Sequence, residues 1–137
     1  AAAPLEEALE LNPQAGKGWL MWVKVQQQLG NRDATVAGLE RLLELGGLEC
    51  QDNLALAAIS ISLQSYDQAA AFLEMYVQEK PDDIGALGDL ATCYAKMGRY
   101  AAALEGCRAV LQVDSEDKRA RANLRALQRL LMEQVGT

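Results

Sequence analysis

The chain repeats itself with a period of 34 residues, and this constrains its fold more than any other feature. "LAAISISLQSYDQAAAFLEMYVQEKPDD", opening at Leu56, lies without a gap over "LATCYAKMGRYAAALEGCRAVLQVDSED", opening at Leu90. Leu56 falls on Leu90, Ala57 on Ala91, Tyr66 on Tyr100, Ala69 on Ala103 and Leu73 on Cys107. A second step of the same length brings in "WLMWVKVQQQLGNRDATVAGLERLLELGG", with Trp22 in the leucine place, Gly30 on Gly98 and Leu39 on Leu73. Units therefore open at Gly16, Cys50 and Ile84, and a fourth opens at Lys118. So short a unit cannot bury its own apolar face, so neighbours must stack into an array.

Within each unit apolar residues recur at helical spacing on both sides of a short break, which predicts a helix hairpin. In the third unit the first helix turns Leu87, Leu90, Ala91 and Tyr94 inward; the second turns Ala103, Leu104, Cys107, Val110 and Leu111 inward. Gly30 and Gly98 fall just past a first helix, where the left-handed conformation costs glycine nothing, and Gln64 holds that place in the second unit at a modest cost. Asp33 and Asp67 open second helices, where the helix dipole favours acid. "PDD" at Pro81 and "DSED" at Asp114 close one unit and start the next. The predicted hairpins span 16–46, 50–80 and 84–114, followed by a helix over 118–134. Ala57 with Ala69, and Ala91 with Ala103, face each other across their turns and mark where the two helices of a hairpin should cross closely.

Composition removes several function classes. Of 137 residues, 50% are hydrophobic but only 5% aromatic, which suits a core of aliphatic and small side chains. With 13 Lys and Arg against 19 Asp and Glu, the net charge of -6 argues against a nucleic-acid partner. The longest apolar run, "LALAAISISL" from Leu54 to Leu63, falls far short of the roughly 18 residues of a membrane span. "AAAPLEEALELNP" carries acid where a secretion signal needs base. The three cysteines, Cys50, Cys93 and Cys107, form no disulfide framework or zinc signature and read as small hydrophobes in a reducing, cytoplasmic setting. No histidine is present, no glycine pattern suits a phosphate, and Asp82 with Asp83 reads as a helix cap, so no catalytic residue, metal or cofactor is expected.

These registers resemble the tetratricopeptide repeat, a 34-residue helix-turn-helix unit. Trp19 matches its fourth place, Ala57, Ala69, Ala91 and Ala103 its small eighth and twentieth places, Tyr94 its eleventh, Tyr66 and Tyr100 its seventeenth, and Pro13 and Pro81 its thirty-second. Val23, Thr35, Gln26, Ser60 and Arg32 depart from it, and Leu42, Tyr76 and Val110 stand where alanine is usual, so some units should pack more loosely. The resemblance implies an all-α solenoid wound as a right-handed superhelix. It divides the chain into 1–15, the second helix of a truncated unit starting near Pro4; units 16–49, 50–83 and 84–117; and a capping helix at 118–137. The N-terminal helix should leave Leu5 and Leu9 partly uncovered, inviting self-association. In the cap, Leu124, Leu127 and Leu131 face inward while Arg121, Arg125 and Gln128 occupy the face a following helix would cover.

The resemblance also implies a protein-binding groove lined by first helices. Its lining would comprise Lys17, Leu20, Lys24 and Gln27 from the first unit, and Gln51, Leu54, Ala58 and Ile61 from the second. Thr92 and Lys96 from the third and Arg119 and Arg129 from the cap complete it. Of the twenty residues at groove places none is acidic, so the expected partner is a protein or peptide offering apolar side chains to the centre and acidic ones to basic rims. The plainer alternative makes Leu54, Ala58 and Ile61 packing residues and the bases a solvated face. The chaperone-carboxylate clamp of one subclass is absent, because Leu20, Lys24, Ala55, Gly85 and Asp89 hold its places. Two roles fit: a non-catalytic protein-interaction module, or an accessory region of a larger enzyme such as a glycosyltransferase or methyltransferase.

Overall fold

Among the described residues each stretch of helical periodicity forms a helix, and the break inside each hairpin forms the same turn. The computed structural model describes residues 16–46 and 48–136 and contains seven helices, with no strand among the described residues. They are α1 (Gly16–Gln28), α2 (Arg32–Leu45), α3 (Cys50–Ser62), α4 (Tyr66–Glu79), α5 (Ile84–Lys96), α6 (Tyr100–Val113) and α7 (Lys118–Gly136). Paired helices pack along each other, α1 on α2, α3 on α4 and α5 on α6, and α7 packs on α6. The result is an all-α helical-repeat solenoid. The N-terminal helix expected from Pro4, with Leu5 and Leu9, lies outside the described residues.

The turn inside each hairpin has one geometry. Gly30 and Gly98 take φ of 76° and 79°, and Gln64 adopts 59°, the left-handed value a side chain resists. Behind each, the same pair of backbone bonds closes the helix: Gly30 N–H donates to Gln27 O and Asn31 N–H to Gln26 O, with counterparts at Gln64–Ser65 and Gly98–Arg99.

One apolar core runs through the first two hairpins into α5, from Trp19 through Leu39, Leu56 and Phe72 to Leu90. Smaller clusters join α5 and α6 to α7 through Ala91, Ala103, Cys107 and Leu127, and through Leu87, Val110 and Ala120. Ala57, Ala69, Ala91 and Ala103 are all buried, as their places predict. Two glycines mark further close approaches. A methyl group on Gly106 would come within 2.9 Å of the Ala91 Cβ, and one on Gly38 within 2.7 Å of both Trp22 and Val23 side chains. Tyr94, Leu104 and Leu111, expected inside, are only half-buried. The Tyr94 hydroxyl reaches out to donate to Glu74 on α4, while the Arg99 guanidinium lies 4.9 Å from its ring centre. A tyrosine with a polar tip and an available carboxylate keeps that tip near solvent.

Candidate functional site

None of the twelve residues assigned to the groove is buried, and all lie on the first helices or α7. Leu20 and Ile61 are half-buried and pack against the main core, so part of the apolar stripe serves packing. Leu54 stays 36% exposed, and Ala58 is exposed. Between α3 and α5 these residues line a cavity of about 300 Å³, formed by Leu54, Ala57, Ala58 and Ile61, with Leu73 and Asp89. Two further cavities of about 200 Å³ each lie between α5 and α7 and share Ala91, Cys107 and Asn123. One adds Gly85, Gly88 and Arg119; the other adds Thr92, Ala95, Lys96 and Leu130. Lys17, Leu20, Lys24, Gln27, Gln51 and Arg129 line none of these three cavities.

Small residues create this space. On α5, Gly85, Gly88, Ala91 and Ala95 leave little side-chain volume opposite α7, so two first helices that do not interdigitate are separated by clefts. Asn123, which groove periodicity passes over, lies between the two clefts. A spacing argument weighs side chains by place in the unit and does not register what a missing side chain opposite exposes.

The electrostatics differ from an acid-free face. Asp89 lines the α3/α5 cavity, and its Oδ1 lies 3.5 Å from Arg119 Nη2. The same nitrogen donates to Thr92 Oγ1 at 2.9 Å, while the Thr92 hydroxyl donates to the Gly88 carbonyl at 3.0 Å. Arg119, expected to await an acidic partner, is therefore already engaged. The contact joins residues from neighbouring units, which no pattern inside one unit displays.

Among the described residues the titratable groups show no activated nucleophile. Burial pushes the Cys107 thiol at the cavity floor upward, and the buried Cys93 thiol rises to about 11, away from the thiolate that chemistry would need. Among the described residues no cluster of His, Cys, Asp and Glu could hold a metal ion. Asp82 and Asp83 divide as a cap should. Asp83 Oδ1 accepts from Ala86 N–H at 3.1 Å, and its Oδ2 accepts from the Tyr76 hydroxyl at 2.6 Å, while Asp82 is exposed. The tyrosine hydrogen bond and the backbone amides hold the Asp83 carboxyl below the usual carboxylate range, and the same bond raises Tyr76 to about 12. No helix of the described residues is long and apolar enough to cross a membrane.

The tetratricopeptide repeat family model matches residues 53–129, more than half of the chain. No curated protein sequence matches it. Among solved structures, YrrB, described as a TPR protein with an unusual peptide-binding site, superposes with a TM-score of 0.67 at 21% identity, over 96% of this chain and 68% of that one. MamA superposes with a TM-score of 0.60 at 15% identity, over 93% of this chain and 75% of its own. The Arabidopsis OM64 TPR domain gives 0.56 at 17% identity, over 86% of this chain and 98% of that domain. At these identities the likeness concerns the fold.

Proposed function

This chain belongs to the tetratricopeptide repeat family, and from that premise we propose that it is a non-catalytic protein-interaction module that takes a peptide segment along its first helices. The observation that carries the reading is the row of cavities between α3, α5 and α7, walled by small and aliphatic side chains at the edge of the core, with Leu54 and Ala58 exposed beside them. An apolar partner side chain seats against Leu54 and Ala58. Lys17, Lys24, Lys96 and Arg129, all exposed, draw acidic residues at the rims. Charge at the rim speeds encounter and selects partners, while the apolar centre supplies most of the affinity. The peptide binding described for YrrB agrees with this reading.

Peptides selected on the full chain from a random display library test it. Lys24→Glu with Lys96→Glu should slow association about tenfold with little change in dissociation. Leu54→Asp should speed dissociation or abolish binding. Peptides that bind all variants equally would place recognition on the outer faces of the second helices and refute the groove.

A further inference from the structure

Arg119 crosses from α7 onto α5 because α5 leaves room for it. Gly88 has no side chain, and a Cβ there would sit 3.3 Å from Arg119 Nη1. The guanidinium lies across the helix at that point and meets two acceptors on the far side. Thr92 has committed its hydroxyl proton to the Gly88 carbonyl, so its oxygen is free to accept from Nη2 at 2.9 Å. Asp89 Oδ1, at 3.5 Å, balances the charge. Both ionic side chains remain about half exposed, at 54% and 45%, so the pair faces the groove rather than the core.

To a ligand in the groove this pair is a dipole and not a cation. Its two charges lie well within the Debye length of about 8–10 Å at ordinary salt, so attraction to Arg119 is offset by repulsion from Asp89. Alongside lie the two α5/α7 cavities of about 200 Å³. They fall below the roughly 300 Å³ at which small-molecule sites begin, a size suited to a single side chain. Ala91, Val110 and Ala120 give the first an aliphatic wall, with Arg119 and Asp117 as its charged lining; Ala95, Ala126 and Leu127 do so for the second, which Lys96 also lines.

We propose that Arg119, Asp89 and Thr92 set the charge preference of the α5/α7 cavity that Arg119 lines, making it a site for a neutral aliphatic side chain of a partner peptide and excluding an acidic one, while Lys96 governs the neighbouring cavity. This rests on the groove reading above and refines it. Acidic partner residues fall at the outer lysines, and the centre of the last step is neutral. Asp89 is then a specificity residue, because removing its charge uncovers Arg119.

Parallel selection of a random-peptide display library on the full chain and on its Asp89→Asn and Arg119→Gln variants tests this; both residues are half exposed, so neither substitution empties the core. The wild-type pool should be enriched in aliphatic residues, with no acidic preference at the position cross-linked to Gly85, which is exposed and lines the Arg119 cavity. The Asp89→Asn pool should gain Asp or Glu there, and its best acidic peptide should bind the variant about three- to tenfold tighter than the wild type. The Arg119→Gln pool should shun acid. An acidic preference already present in the wild type and unchanged by Asp89→Asn overturns this inference while leaving the groove standing. If no peptide is enriched on any of the three proteins, the groove reading fails and takes this inference with it.

Discussion

The junction between the first and second hairpins differs from the one between the second and third, although both connect through linkers of the same length. At the second junction α4 packs along α5, the Tyr76 hydroxyl bonds Asp83, Asp83 caps α5 through Ala86 N–H, and the Tyr94 hydroxyl bonds Glu74. At the first, α2 packs sparsely on α3, and Glu49 stands at the α3 N-cap without a side-chain hydrogen bond. The polar tie there runs instead from Gln68 Nε2 on α4 to Val36 O on α2, at 3.2 Å. The buried polar atoms left without a hydrogen bond among the described residues, Trp19 Nε1, Gln26 Nε2 and Asn53 Oδ1, belong to the helices around the first junction. The apolar core is continuous across both junctions, so they differ in how closely the adjoining helices pack and in their polar ties. Glu49, one methylene longer than aspartate, makes no cap bond, and Leu42 stands in the place of Tyr76, so no hydroxyl is there to brace a carboxylate.

The largest test of that contrast strikes what the junctions share. Phe72 is fully buried in the continuous core, and Phe72→Ala should cost about 3–5 kcal/mol by chemical denaturation. A loss below about 1 kcal/mol would mean the hairpins are held independently. Ala91→Leu should cost about 1–3 kcal/mol, because the new side chain would press on Gly106 across the third hairpin. An unchanged thermal melt would contradict the close crossing.

Smaller effects separate the junctions themselves. Asp83→Ala removes a cap and the partner of Tyr76, and should cost about 1–2 kcal/mol at neutral pH. Because folding lowers the Asp83 carboxyl, its contribution is complete above the ordinary carboxylate value of about 4 and fades as pH falls through the lowered one. Tyr76 acts at the other end, contributing fully below about pH 10 and losing that contribution as pH rises towards 12. Denaturation midpoints across pH should therefore fall at both ends in the wild type and less steeply in Asp83→Ala. Glu49→Asp should supply the missing cap and stabilise the chain by about 0.5–1 kcal/mol, since Glu49 already has the extended backbone of an N-cap. No gain there would assign the looseness to packing and not to the cap.

Most of the fold is legible in the residues. The 34-residue step sets helix starts at Gly16, Cys50, Ile84 and Lys118; the glycines and Gln64 set the turns; Asp83 sets a cap. Apolar periodicity does not reveal Gln26, Asn53, Ser60 and Gln68 inside the array, because it scores them as surface. The alanine pairs are buried as their places predict, but the close fits of Gly106 on Ala91 and of Gly38 on Trp22 and Val23 are not signalled by them, since contact depends on crossing geometry as well as residue size. At the candidate site, the non-buried first-helix face follows from spacing. The Arg119–Asp89 pair does not, because it joins charges from different units over a glycine whose importance lies in what it lacks.

Amide hydrogen exchange on the full chain, free and bound to a library-selected peptide, measures both the contrast between the junctions and the place of the groove. In the free chain α1 and α2 should exchange faster than α5 and α6, and the peptide should add protection along α3, α5 and α7. Equal protection of α1 and α5 would contradict the contrast, and new protection confined to α2, α4 and α6 would contradict the groove.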